Sequence, residues 1–192
     1  MTGPPRAATR RVFFALWPEA RERRALAQAT ACAVASSGGE AVPPDNLHLT
    51  LVFLGSIPAA RTAELAALGC RVAHEHTGAP LELAFERLAH WAEPQILCAL
   101  PGGESAALGA LAGALRDAAV TAGFLPDLKP FRAHVTVARK VVRAPASPEL
   151  AAVTWRHRAC ALIQSRTDPA GSVYSVLETC VLGKSGKVRT LR

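Results

Sequence analysis

The chain has no Cys-x-x-Cys pair, no long apolar run and very little lysine, and each shortage closes off a class of protein. Its five cysteines, Cys32, Cys70, Cys98, Cys160 and Cys180, are odd in number and scattered. That pattern argues against a disulfide framework or a zinc ribbon and fits a reducing cytoplasm. No stretch approaches the roughly 18 consecutive apolar residues that span a bilayer. The apolar run at 12–17, behind a basic N-terminus, stops at Pro18 and is too short for a secretory signal. A soluble cytoplasmic protein with no membrane partner is expected. Four lysines stand against 18 arginines, the net charge is +7 and the pI is near 9.7. Such a surplus points to an anionic partner, nucleic acid or a phosphorylated small molecule, and guanidinium forks match phosphate oxygens bidentately.

Against these shortages stand 192 residues, 50% of them apolar, enough for one sizeable core or two small fused lobes. Residues 11–17, RVFFALW, read as a buried strand that ends at Pro18. Pro18 suits the first turn of the following helix, which carries a solvated charge cluster and stops at Ser36-Ser37-Gly38-Gly39. A Pro43-Pro44-Asp45 turn leads to a strand closed by Gly55. Helices are expected over 58–73, with Leu65, Leu68 and Val72 on one stripe, and over 104–122, with Leu108, Leu111 and Leu115 on one side. Short strands are expected at 81–88 and 96–100, a loop at 141–148, and closing strands at 158–165 and 173–182. The basic tail, 184–192, is expected to be mobile.

Two stretches carry the chemistry. In NLHLTLVFLG, His48 and Thr50 share one face of a strand, and simple alternation turns Leu49, Leu51 and Phe53 to the other. In FRAHVTVARK the pattern returns 86 residues later, with His134 and Thr136 on one face and Val135 and Val137 opposite. If the two strands meet, two imidazoles flank a gap that holds a phosphate, each with a hydroxyl two residues along. One neutral imidazole acting as base and one protonated imidazole acting as acid can cleave a phosphodiester without metal. The threonines would donate hydrogen bonds to the non-bridging oxygens as charge grows there.

The paired motifs HLTL at 48–51, followed by VFLG, and HVTV at 134–137, followed by ARK, resemble those of the two-histidine (2H) phosphoesterases. Within these, the chain is most similar to the RNA 2′,3′-cyclic phosphodiesterase (2′-5′ RNA ligase) family, over nearly its whole length. The resemblance implies an α+β fold: two similar lobes of antiparallel sheet backed by helices, one bilobal domain over 1–192 with a central basic cleft. It implies metal-independent hydrolysis of a terminal 2′,3′-cyclic phosphate to a 2′-phosphate, with no cofactor. His48 would be the proton donor to the 3′ oxygen and His134 the acceptor that activates water. Arg139 matches a phosphate-holding arginine of the family. Five residues after His134 it should point away from the cleft, so the strand must end, bulge or twist there. Phe53, Trp91 and Tyr174 are expected at the base or pocket wall, with Arg132 among the basic residues of the backbone track that also includes Lys129, Lys140 and Arg143. The partner implied is an RNA end bearing the cyclic phosphate, tRNA fragments included, met by a monomer.

The remaining motifs are weak. His74-Glu75-His76 lacks a third metal ligand, and LGKSG has Glu178 where a phosphate-binding glycine loop needs its first glycine. His90 and His157 read as surface or turn residues, and Cys98 and Cys160 as buried thiols. Alternatives left open are 2′-5′ ligation, a small cyclic-nucleotide phosphoesterase, and a nonenzymatic RNA-binding module.

Overall fold

A computed structural model of the chain describes residues 8–77, 80–169 and 171–183; the tail at 184–192 lies outside them. The elements are β1 (Thr9–Leu16), α1 (Ala20–Ser36), β2 (Glu40–Ala41), β3 (Leu49–Pro58), α2 (Thr62–Glu75), β4 (Leu81–Trp91), β5 (Ile96–Pro101), α3 (Ala106–Thr121), β6 (Val135–Arg139), β7 (Glu149–His157), β8 (Ala159–Asp168) and β9 (Gly171–Val181). Short 3₁₀ turns precede β3 and α2.

The strands join one nine-stranded sheet in the order β7-β4-β5-β6-β3-β1-β8-β9, with β2 beside β6, and every pairing is antiparallel. The two expected lobes are the two four-stranded halves of this sheet, which meet where β3 pairs β6. That seam is thin: its one register pair is Leu49 with Val135. Both side chains are fully buried in the core, so the residues flanking each of them face the other way.

β1 runs through the middle of its half between β3 and β8, which is why Val12 to Leu16 are all buried and the strand reads as a continuous apolar run. Helix α1 is closed at its start by a capping box in which Glu19 and Glu22 satisfy each other's backbone N–H. Pro18 thus stands outside the helix rather than in its first turn. α1 lies against β6 and β7, in the half opposite to its own strand, while α2 backs β8 and β9. The crossing of α1 ties the halves together. The expected stripe of α2 puts Leu65 and Leu68 into the core, and that of α3 buries Leu108, Leu111 and Leu115.

Three further features depart from the sequence expectations. β7 has no counterpart among the expected strands; its alternation is broken by alanines, and its pairing with β4 supplies what its propensity does not. His157, at the end of β7, is 4% exposed rather than at the surface, because α1 covers that strand. Cys70 and Cys180 form a disulfide across a sequence separation of 110, where the scattered cysteines had argued against a disulfide framework. Only the packing of α2 on β9 brings the two together. Among the described residues no helix is long and apolar enough to cross a membrane.

Candidate active site

Both motif segments sit at the seam. With Leu49 opposite Val135, extending the antiparallel register by one residue each way sets His48 opposite Thr136 and Thr50 opposite His134. The four polar side chains therefore form a two-fold-like square on the face away from the core. The two strands expected to meet across a gap are in fact neighbours in one sheet. A cavity of about 390 Å³ opens over them, lined by His48, Thr50, His134, Thr136, Arg139 and Tyr174, with Glu40, Asn46 and Ser172 at its edge.

Arg139 reaches this cavity through a bulge. The β5–β6 register slips between Leu97 and Cys98: Leu97 faces Ala138, whereas Cys98 faces Thr136. β6 therefore carries one extra residue, Val137 and Ala138 are both buried, and Arg139 returns to the cleft face. β3 does the same after its own motif. Phe14 faces Val52 and Ala15 faces Thr50, Leu51 and Val52 are both buried, and Phe53 is turned outward. Strict alternation had sent Phe53 to the core side; the bulge corrects that. Phe53 and Arg139 thus occupy matching positions, five residues after His48 and His134.

The two imidazoles are held alike. Nδ1 of His48 lies 2.7 Å from the Asn46 carbonyl oxygen, and Nδ1 of His134 lies 2.7 Å from the Arg132 carbonyl oxygen. A carbonyl only accepts, so each Nδ1 carries the proton and donates it, leaving each Nε2 for the cleft. The surroundings then differ. His48 sits among Phe13, Trp17 and Tyr174, with ring centroids 4.9, 5.6 and 5.1 Å away. His134 packs on Trp91 at 4.6 Å, and the Arg132 guanidinium lies 4.7 Å from the Trp91 ring centroid.

Enclosure by those rings pushes the His48 pKa down to about 4; the Asn46 carbonyl opposes the shift, and the charges of Arg139 and His134 add to it. His134 is lowered by burial too, opposed by the Arg132 carbonyl and aided by the Arg132 charge. Both shifts favour the neutral imidazole.

Not all the expected residues share the cavity. Phe53, Trp91 and Arg132 line an adjoining groove of about 630 Å³ that meets the cavity at Thr50 and His134. Of the expected basic track, Lys140 is paired with Glu40 at 2.7 Å and Lys129 with Asp127 at 3.8 Å. Arg139 and Arg132 have no ion-pair partner among the described residues, which concentrates the unneutralised charge beside the imidazoles. Sequence reasoning missed Trp17 and Phe13, which enclose His48. It also missed Asn46, whose carbonyl holds His48 while its Nδ2 donates to the Ser172 carbonyl at 2.9 Å. The one signal for Asn46 was its place two residues before the histidine, matching Arg132.

A curled antiparallel sheet presenting two imidazoles and two hydroxyls to one cavity has the architecture of a two-histidine phosphoesterase. Comparison with known proteins agrees. The family model of the 2′-5′ RNA ligase superfamily matches residues 13–170, and the chain belongs to that family. It is 33% identical over 186 residues to an RNA 2′,3′-cyclic phosphodiesterase of Thermus thermophilus, covering 92% of this chain and 93% of the relative. A protein of the same name from Escherichia coli is 28% identical over 138 residues, covering 72% and 76%. The crystal structure of Escherichia coli LigT complexed with 3′-AMP superposes with a TM-score of 0.81 at 25% identity, covering 91% of this chain and 99% of that one.

Proposed function

We propose that the chain hydrolyses the 2′,3′-cyclic phosphate at an RNA end to a 2′-phosphate and a free 3′-hydroxyl, by acid–base catalysis between two histidines. The observation that carries this reading is the matched pair of imidazoles, each fixed through Nδ1 and presenting Nε2 to one cavity beside an unpaired arginine. His134 Nε2 takes a proton from water as the water oxygen bonds to phosphorus. The bond from phosphorus to the 3′ oxygen breaks, and His48 Nε2–H gives that oxygen its proton. Thr50 and Thr136 donate to the non-bridging oxygens, and Arg139 holds the phosphate charge.

His48 is neutral in the empty cleft, so it gains its proton as substrate arrives. A phosphate anion pairs with Arg139, cancels a charge that lowers the imidazole, and itself favours the imidazolium. Tyr174, which lines the cavity, faces the leaving ribose and its base, while Trp91, Phe53 and Arg132 offer stacking and charge on the His134 side. Every cleft residue comes from one chain, so a monomer suffices. RNA ends of this kind, tRNA fragments among them, are the substrates this reading assigns.

The test is incubation in EDTA with an oligoribonucleotide ending in a 2′,3′-cyclic phosphate and, in parallel, with free 2′,3′-cyclic nucleotides. Conversion of the oligonucleotide to a 2′-phosphate is expected. A 3′-phosphate product would reverse the donor and acceptor geometry, and activity lost in EDTA but restored by a divalent metal would overturn the metal-free step. Salt-dependent binding without turnover would make the chain a binding module.

A further inference from the structure

The carbonyl that holds the His48 ring belongs to a residue that is itself tied to a distant strand. Asn46 ends the 3₁₀ turn Pro44–Asn46, where its N–H donates to the Pro43 carbonyl at 2.8 Å and the N–H of Leu47 donates to the Pro44 carbonyl at 3.1 Å. Its side chain thus starts from a fixed backbone. Nδ2 donates to the Ser172 carbonyl at 2.9 Å, across 126 residues. A carbonyl only accepts, so the amide nitrogen, not its oxygen, is the atom that faces Ser172. Arg132, which stands in the same relation to His134, lays its side chain over Trp91 instead.

Ser172 precedes Tyr174 by two residues on β9, and side chains two apart on a strand share a face. Tyr174 in turn meets the His48 ring edge-on, with centroids 5.1 Å apart. One hydrogen bond and one ring contact therefore close a circuit through Asn46, His48, Tyr174 and Ser172. The bond falls where the β8–β9 hairpin outruns the sheet. β1 pairs β8 from Ala161 to Ser165; beyond that, Arg166, Thr167 and Asp168 pair Val173, Ser172 and Gly171 as a two-stranded ribbon, a form that is marginal by itself in water. Asn46, Gly171, Ser172 and Tyr174 all line the cavity, so a shift of the ribbon changes the cavity's shape. We propose that Asn46 is a positioning residue: its side-chain amide ties the tip of the β8–β9 hairpin to the segment carrying His48 and so sets where Tyr174 stands as the wall for the leaving ribose and its base. This rests on the reading of Tyr174 as that wall.

A double-mutant cycle separates the tether from general stability and from direct contact with substrate. Asn46→Ala, Asn46→Leu and Tyr174→Ala are made singly, and each Asn46 substitution is combined with Tyr174→Ala; leucine keeps the bulk of asparagine without its donor. Steady-state hydrolysis of a cyclic-phosphate oligoribonucleotide is read alongside thermal unfolding. Each Asn46 substitution is expected to raise KM roughly 3- to 10-fold, the scale of one neutral hydrogen bond, with kcat changed less than about threefold. Once Tyr174 is alanine, neither should raise KM further. An equal rise in both backgrounds would overturn the proposal in favour of direct contact between Asn46 and substrate. A fall in kcat with KM unchanged would overturn it too, placing the effect of Asn46 on the acid rather than on the wall, as would wild-type kinetics of Asn46→Leu in a protein that melts cooperatively. Wild-type kinetics of Tyr174→Ala would remove the wall itself, a failure of the underlying reading and visible as such.

Discussion

Replacing Arg139 by glutamine tests the electrostatics of the cleft in two independent ways. The guanidinium has no ion-pair partner among the described residues and lines the cavity over both histidines, so its charge is available to a phosphate. A hydrogen bond to a charged group contributes about 1.5–3 kcal/mol. Arg139 is exposed, which favours the lower part of that range, so kcat/KM should fall about 10- to 50-fold. The second effect is on pH dependence. The Arg139 charge helps to hold His48 near 4, so removing it raises the imidazole pKa and moves the acidic limb of the kcat/KM profile to higher pH.

In the wild-type protein the profile should be a bell. Its limbs in the free enzyme are set by His48 near 4 and by His134 below the ordinary 6.5, so kcat/KM should decline above about pH 6.5. The kcat profile, which reports the complex, should extend further toward alkaline pH because bound phosphate favours the imidazolium. The assay is hydrolysis of a cyclic-phosphate oligoribonucleotide from pH 4 to 8.5 at constant ionic strength. A kcat/KM that is flat across that range, or an acidic limb identical in wild type and variant, would refute the reasoning.

Two further predictions concern the scaffold. Burial pushes His157 down to about 4, opposed by Glu22, so between pH 6.5 and 4 the unfolded chain binds the proton that the folded one refuses. Stability should therefore fall as pH falls, by on the order of 2 kcal/mol between pH 7 and 5 from this residue. Urea unfolding of His157→Leu should show a correspondingly shallower pH dependence, and an unchanged slope would remove His157 as a cause. In α2, a Cβ added at Gly69 would run into the ring of Phe14, which is fully buried. Gly69→Ala should cost about 1–3 kcal/mol despite its better helix propensity, and a raised melting temperature would show that Phe14 has room to move.

Much of the site was legible in the chain because period-two alternation is reliable over three residues: His48 with Thr50 and His134 with Thr136 face the cleft as expected. Over five residues it fails. The bulges that turn Phe53 and Arg139 outward are set by cross-strand register, which no local pattern encodes. The same limit hid the Cys70–Cys180 disulfide and the enclosure of His48 by Phe13 and Trp17, since each depends on elements far apart in sequence. The apolar stripes of α2 and α3 were legible because helical periodicity is local. β7 was not, because its partner β4 and the cover from α1, rather than its alanine-rich sequence, hold it in the sheet.

The account stands on the two imidazoles acting as one unit on one phosphorus, and the most direct measurement is turnover of His48→Ala, His134→Ala and the double variant on the same oligonucleotide. Each single change should cost on the order of 10² to 10⁴ in kcat, and the double variant should be no worse than the weaker single one by more than roughly threefold. Losses that multiply in the double variant, or near-normal turnover by either single variant, would contradict it.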